Sequence, residues 1–186
     1  MDYTAHSKFL SFGLRHNPLK AGLELDKNGW ASIESILISL TANNLQLDIE
    51  GLTELVESNS KKRFEFSNNG LLIRACQGHS IDVDLCLKEE VPPVVLYHGT
   101  SDKSIASIQK NKDGGIKKMN RDHIHLSADE STAYMVGRRH GAPVIIMIDA
   151  KAMYADGYKF FMSTNGVWLT EQTIIQKYFT KIIYKK

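Results

Sequence analysis

The chain has 186 residues, 42% of them hydrophobic and 24% charged, and its formal net charge at pH 7 is +2. Such a composition suits a globular protein with a core and excludes a low-complexity chain, while no run approaches the roughly 20 apolar residues that a membrane-spanning helix needs. The charge is too small to announce a nucleic-acid binder, so any phosphate site must come from locally placed arginines.

Met1 to Phe12 lacks a basic region followed by an apolar run, so a cytoplasmic protein is expected. Ser7 to Leu14 predicts a helix with Phe9, Leu10 and Leu14 on one face, ended by Arg15-His16-Asn17-Pro18 because proline disfavours helix at the residue before it. Asn28-Gly29 marks a turn. Ser32 is the expected N-cap of a second helix with Ile33, Ile36, Leu37 and Leu40 inward, and Asp48 of a third with Leu52, Leu55 and Val56 inward. Arg63 to Phe66 alternates polar and aromatic, Asn68-Asn69-Gly70 supplies a turn, and Leu71 to Ala75 returns as an apolar strand. Three helices and a hairpin predict a winged helix. Cys76 and Cys86 fit neither a paired zinc motif nor a disulfide framework and are expected to be reduced thiols.

Lys88-Glu-Glu-Val-Pro-Pro93 breaks the apolar patterning with charge and then two prolines, the natural linker between residues 1–90 and 91–186. Beyond it come short β-rich runs, Val94 to Tyr97, Ile124 to Leu126, Pro143 to Ile148 and Val167 to Leu169, with helical stretches near Ile105 and Ala133. The fold class is therefore α+β in two lobes. Fold alone leaves function open.

Four segments carry the chemistry. They are Ser7-Lys-Phe-Leu-Ser-Phe-Gly-Leu-Arg-His16 with Asn28-Gly-Trp30; Ile73-Arg-Ala-Cys-Gln-Gly-His-Ser80; Tyr97-His-Gly-Thr100 with His123-Ile-His-Leu-Ser127; and Val136-Gly-Arg-Arg-His-Gly141 with Asn165-Gly-Val-Trp-Leu-Thr170. In content, order and spacing they resemble the RNA 2′-phosphotransferase family over nearly the whole chain. The resemblance implies an N-terminal winged-helix lobe and a C-terminal ADP-ribosyltransferase-like lobe. It implies an enzyme that consumes NAD to remove an internal 2′-phosphate from RNA, tRNA among the candidates as in tRNA splicing. The products would be 2′-hydroxyl RNA, nicotinamide and ADP-ribose 1″,2″-cyclic phosphate, formed in two steps.

A phosphate monoester has a second pKa near 6, so the acceptor is largely dianionic at pH 7 and needs no general base. It needs forked cationic donors. By resemblance the candidates are Arg15, His16, Arg74 and Arg139; from its place in that cluster, His16 is expected to stay protonated beside the anion and to assist departure of the RNA 2′-oxygen in the second step. The resemblance also assigns NAD to His98, Gly99, Thr100, His125, Leu126, Ser127 and Val167, the last standing where relatives that modify side chains commonly carry a glutamate. The Gln77-Gly78-His79-Ser80 segment is expected to support the site. Trp30, Phe64, Phe66 and Trp168 are read as core aromatics, and Lys61, Lys62, Lys117, Lys118 and Arg121 as either RNA-backbone contacts or solvated charge.

Each residue also has a plainer reading. Arg15-His16 would be favoured by the negative end of a helix dipole whatever the function, Arg74 would suit a solvent-facing hairpin strand, and only spacing to His140-Gly141 selects Arg139 over Arg138. His98 and His125 alone read as satisfied buried imidazoles. No carboxylate or cysteine completes a zinc-like set around His123 and His125, so no metal is expected. A monomer without membrane contact is expected. Two other functions fit parts of the pattern: an ADP-ribosyltransferase acting on another acceptor such as a terminal nucleic-acid phosphate, and a non-catalytic winged-helix regulator.

Overall fold

A computed structural model describes residues 2–110 and 114–185. The chain divides into two compact units, Met1–Cys86 and Leu87–Lys186. The division falls just before the charged and proline-rich stretch and ahead of the expected boundary after residue 90, because Glu89 already bridges to Phe161 and the Glu90 amide donates to the Phe160 carbonyl.

In the first unit, helix α1 (Thr4–Arg15) leads into a 3₁₀ turn at Leu19–Ala21, then strand β1 (Ala31–Ser32), α2 (Ile33–Ala42), α3 (Ile49–Ser58), β2 (Phe64–Phe66) and β3 (Leu72–Ala75). Ser32 and Asp48 cap α2 and α3, their side-chain oxygens accepting from the amides of Ser35 and Gly51. Each satisfies one of the orphan donors at a helix start. The sheet is antiparallel in the order β1-β3-β2, with Glu65 opposite Arg74. Leu10 and Leu14 of α1, Ile36 and Leu40 of α2, Leu52 of α3 and Ile73 of β3 are fully buried together. Burying each such side chain is worth about 1.5–3 kcal/mol. A Cβ on Gly13 would lie 2.8 Å from the Ala21 Cβ, so α1 and the 3₁₀ turn lie too close for a larger residue there.

In the second unit come β4 (Val95–Ser101), α4 (Asp102–Ile108), β5 (Ile124–Leu126), α5 (Glu130–Gly137), β6 (Pro143–Asp149), α6 (Ala150–Ala155), β7 (Phe161–Met162), β8 (Trp168–Thr170) and β9 (Phe179–Tyr184). They form two antiparallel sheets, β4-β6-β9 and β5-β8-β7, joined by a bridge between Tyr97 and Ser127. Leu96, Leu126, Ile146, Ile148, Met153 and Phe160 lie in its core. The architecture is α+β, as expected. Strand β4 runs on to Ser101, past the apolar run that ended at Tyr97, so His98, Gly99 and Thr100 lie within the strand and not after it. Val167, expected in a strand, precedes β8. No helix among the described residues is long and apolar enough to cross a membrane.

Candidate functional site

In the first unit the site is built at the C-terminal end of α1. The Arg15 carbonyl accepts from the Ser80 amide at 2.9 Å, and the His16 Nδ1 is paired with the Ser80 hydroxyl at 2.9 Å. Gly78 has φ of +89°, and a Cβ there would lie 3.7 Å from the Arg15 guanidinium. The Gln77–Ser80 segment therefore wraps the end of the helix and holds both side chains in place.

The structure adds a residue that the sequence did not single out. The Arg15 Nη2 donates to the Arg63 carbonyl at 3.3 Å, and Arg15, His16 and Arg63 line one groove of about 680 Å³. Asn59 fixes Arg63: its Oδ1 accepts from the Arg63 Nη1 at 3.2 Å and from the Lys61 amide at 3.0 Å, while its Nδ2 donates to the Ser7 hydroxyl. Lys62 sits in the left-handed region at φ +40°, within the tight turn that aims Arg63. In sequence Arg63 was only the polar start of an alternating strand, and nothing local tells that it meets a helix 48 positions earlier.

Arg74 has different surroundings. Its Nε donates to Glu65 at 2.7 Å, its Nη1 donates to the Asn28 carbonyl, and its guanidinium carbon lies 4.4 Å from the centroid of the Trp30 ring. Trp30 is half-buried beneath it instead of fully in the core. Cross-strand charge pairing and stacking on an aromatic face both favour this placement.

In the second unit, Tyr97 and Ser127 exchange backbone hydrogen bonds at 2.9 and 2.8 Å, which sets His98 beside His125. The His98 Nδ1 lies 3.2 Å from the His125 carbonyl. A carbonyl only accepts, so Nδ1 carries the proton. Burial pushes the His98 imidazolium below its ordinary pKa, and the bond to His125 offsets this in part. His98 is therefore neutral at pH 7 and its Nε2 is an acceptor. Leu126 is buried in the core and Thr100 is nearly so.

Gly99 has a packing reason of its own. A Cβ there would sit 1.9 Å from the Ala133 carbonyl oxygen, and one on Gly137 would sit 2.4 Å from the Thr100 carbonyl oxygen. The two glycines thus let α5 lie directly against β4. That contact sets the end of α5, from which Arg138, Arg139 and His140 extend, all exposed. Asp102 secures the turn, exchanging bonds with the backbone of Ala142. Neither Arg138 nor Arg139 has an ion-pair partner among the described residues. Val167 is held in the turn between β7 and β8, its amide donating to the Ser163 hydroxyl and its carbonyl accepting from the Ser163 amide.

Comparison with known proteins bears on all of this. Residues 2–172 match the family described as RNA 2'-phosphotransferase, Tpt1 / KptA family. A probable RNA 2'-phosphotransferase of Flavobacterium johnsoniae is 51% identical over 166 residues, covering 89% of this chain and 90% of its own. Similar proteins of the same description occur in Fusobacterium nucleatum, 48% identical over 88% of this chain and 90% of its own, and in Nostoc punctiforme, 46% identical over 95% of each.

Proposed function

Because the chain belongs to the RNA 2'-phosphotransferase, Tpt1 / KptA family, we propose that it removes an internal 2′-phosphate from RNA by transferring it to NAD. The products are then 2′-hydroxyl RNA, nicotinamide and ADP-ribose 1″,2″-cyclic phosphate. The observation that carries the reading is the groove in which Arg15, His16 and Arg63 line one surface. It concentrates forked cationic donors suited to a phosphate dianion in a chain with little net charge. The order of three helices followed by a hairpin supports a winged-helix reading of the first unit, and the two small sheets support an ADP-ribosyltransferase-like reading of the second.

NAD, when bound, supplies an anomeric carbon from which nicotinamide departs. His98 fits such a partner, since a neutral imidazole with Nδ1 committed to the His125 carbonyl presents Nε2 as an acceptor for a ribose hydroxyl. His125, Gly99, Thr100, Leu126, Ser127 and Val167 are the remaining residues assigned to it. Ser127 belongs through the bridge to Tyr97 that positions the two histidines, and Gly99 through its packing against α5.

Arg15 and Arg63 hold the phosphate while one of its oxygens would displace nicotinamide at the anomeric carbon, leaving ADP-ribosylated RNA. The ribose 2″-hydroxyl would then attack the phosphorus, giving up its proton to solvent, as His16 gives a proton to the departing RNA 2′-oxygen, and Ser80 keeps the His16 ring oriented. Arg139, without an acidic partner among the described residues, is available to a substrate phosphate. The resemblance puts Arg74 in the phosphate set; its pairing with Glu65 and stacking on Trp30 favour instead a role in shaping the hairpin, with Arg63, held by Asn59, in the direct phosphate role.

The test is incubation of the protein with NAD and a short RNA carrying one internal 2′-phosphate, with products followed by mass spectrometry. Release of nicotinamide with 2′-hydroxyl RNA and the cyclic phosphate is the expected result. ADP-ribose retained on the RNA as the final product would favour transfer to a different acceptor, and intact NAD and RNA would overturn the enzymatic reading.

A further inference from the structure

The groove that holds Arg15 and His16 does not end with them. It follows α1 back toward its start, where two rows of side chains at four-residue spacing face into it: Ser7, Ser11 and Arg15 in one, Lys8, Phe12 and His16 in the other. Residues four apart lie one above the next on a helix face. At about 1.5 Å of rise per residue, Lys8 and Ser11 stand about 10 and 6 Å along the axis from Arg15. The proposed reaction accounts for the cationic end of this groove and leaves the rest without a task.

Phe12 is 37% exposed although it lies between a lysine and a histidine. An aromatic ring open to solvent beside a cation and hydroxyls suits the base and backbone of single-stranded nucleic acid, which stacks through any base and is held through its phosphates. The far end of the groove has the opposite charge. Asp2 lines it, and hydrogen bonds from Thr4 hold the Asp2 carboxyl below its usual range, so it is charged at neutral pH. Tyr3 donates to Glu54 there at 2.6 Å, and beyond Tyr3 lies a hollow lined by Asp48, Glu50 and Glu54. Those carboxylates repel a phosphate backbone, which limits the favourable stretch to the segment from Ser7 to His16.

We propose that this segment is a subsite for the nucleotide next to the 2′-phosphorylated one: its base stacks on Phe12, and its backbone phosphate is held by Lys8 with the hydroxyls of Ser7 and Ser11. The proposal rests on the reading of the protein as an RNA 2′-phosphotransferase but is tested without turnover. Binding of the full chain to a fluorescently labelled five-nucleotide RNA lacking any 2′-phosphate, without NAD, is followed by anisotropy across a salt series. Phe12→Ala should weaken binding by about 5- to 150-fold, the range for loss of one stacked base. Phe12→Leu, which keeps apolar packing but no ring face, should lose affinity as well. Lys8→Ala should reduce the slope of log K against log salt by about 0.7, the value for one phosphate contact on a single strand. Circular dichroism of each variant checks that α1 remains helical.

Wild-type affinity and slope in the Phe12 and Lys8 variants would overturn the subsite, as would failure of the wild-type protein to bind the RNA. A wild-type protein that binds in this pattern but removes no 2′-phosphate would sink the reaction and leave the groove. Full turnover with a groove indifferent to Phe12 and Lys8 would do the reverse.

Discussion

Arg74 meets Glu65 at 2.7 Å and lies over the Trp30 ring, whereas Arg63, held by Asn59, lines the groove with Arg15 and His16. Two substitutions should therefore separate in kind. Arg63→Ala should lower kcat/KM by about 10²–10³ with little change in Tm, as expected for loss of one preorganised donor to a developing charge. Arg74→Met should lower stability by about 1–3 kcal/mol, since the half-buried Glu65 loses its partner, and any activity loss should follow the loss of folded protein. Thermal melts beside steady-state kinetics decide it; equal kinetic damage at unchanged Tm would return Arg74 to the phosphate. For His16→Ala, phosphate capture should persist while its resolution slows, so ADP-ribosylated RNA should accumulate in a single-turnover gel assay. Unimpaired turnover by that variant removes His16 from the proton transfer.

His98 makes a pH prediction at the same scale. Its imidazolium is disfavoured by burial, so its folded pKa lies below the ordinary 6.5. The unfolded chain then binds the proton more readily than the folded one, and the sign follows: stability is complete above about pH 6.5 and declines as pH falls below it toward the lowered folded value. Burial pushes His123 the same way, with Glu171 opposing. Melting temperatures between pH 7.5 and 5 should therefore fall with acid. His98→Asn, whose Nδ2 can still donate to the His125 carbonyl, should flatten that fall and leave the share due to His123. An unchanged pH profile in His98→Asn would mean that His98 takes up its proton alike in the folded and the unfolded chain, so that burial sets no difference there.

At the level of elements, α5 depends on β4 through bare backbone. A methyl group at Gly137 would meet the Thr100 carbonyl oxygen at 2.4 Å, and neither backbone can yield as a side chain end does. Gly137→Ala should cost about 1–3 kcal/mol, the usual range for overpacking, and should weaken turnover further by shifting Arg139. Gly166→Ala is the contrast: at φ +78° it meets backbone strain with no atom within 4 Å, so about 1 kcal/mol is expected and the Arg139 turn is untouched. Chemical denaturation of the two variants checks the difference. The same elements show what the sequence makes legible. Ser32 and Asp48 read as caps because the cap bond is local, and Asn68-Asn69-Gly70 read as a turn for the same reason. The polar stretch of β4 did not, because His98 to Ser101 become strand only by pairing with Pro143 to Ile146. Strand β9 likewise exists through pairing with β6, at Ile145 with Ile183. Arg15 and His16 were legible from their motif; Arg63 was not, because its membership in the groove is set by a turn at Asn59 and a helix distant in sequence.

Across the whole molecule, charge is divided unequally: acidic residues outnumber basic ones in Met1–Cys86, and the reverse holds in Leu87–Lys186. The RNA binding proposed for the first unit would thus depend on where its few cations stand, and not on a general positive field. Each unit has its own buried core, so a ligand taken up by one should raise the stability of that unit through binding to its folded form alone. NAD, assigned to His98 and its neighbours, should therefore stabilise the second unit by about 2.7 kcal/mol at a hundred times its dissociation constant. Hydrogen exchange resolves where. Amides of β4, β5 and β8 should gain protection with NAD, while those of α2 and α3 should exchange as before. Protection confined to the first unit would displace NAD from the histidine pair. No change anywhere at millimolar NAD, in a protein that still binds RNA, would instead leave the arginine groove as a binding surface with no co-substrate beside it.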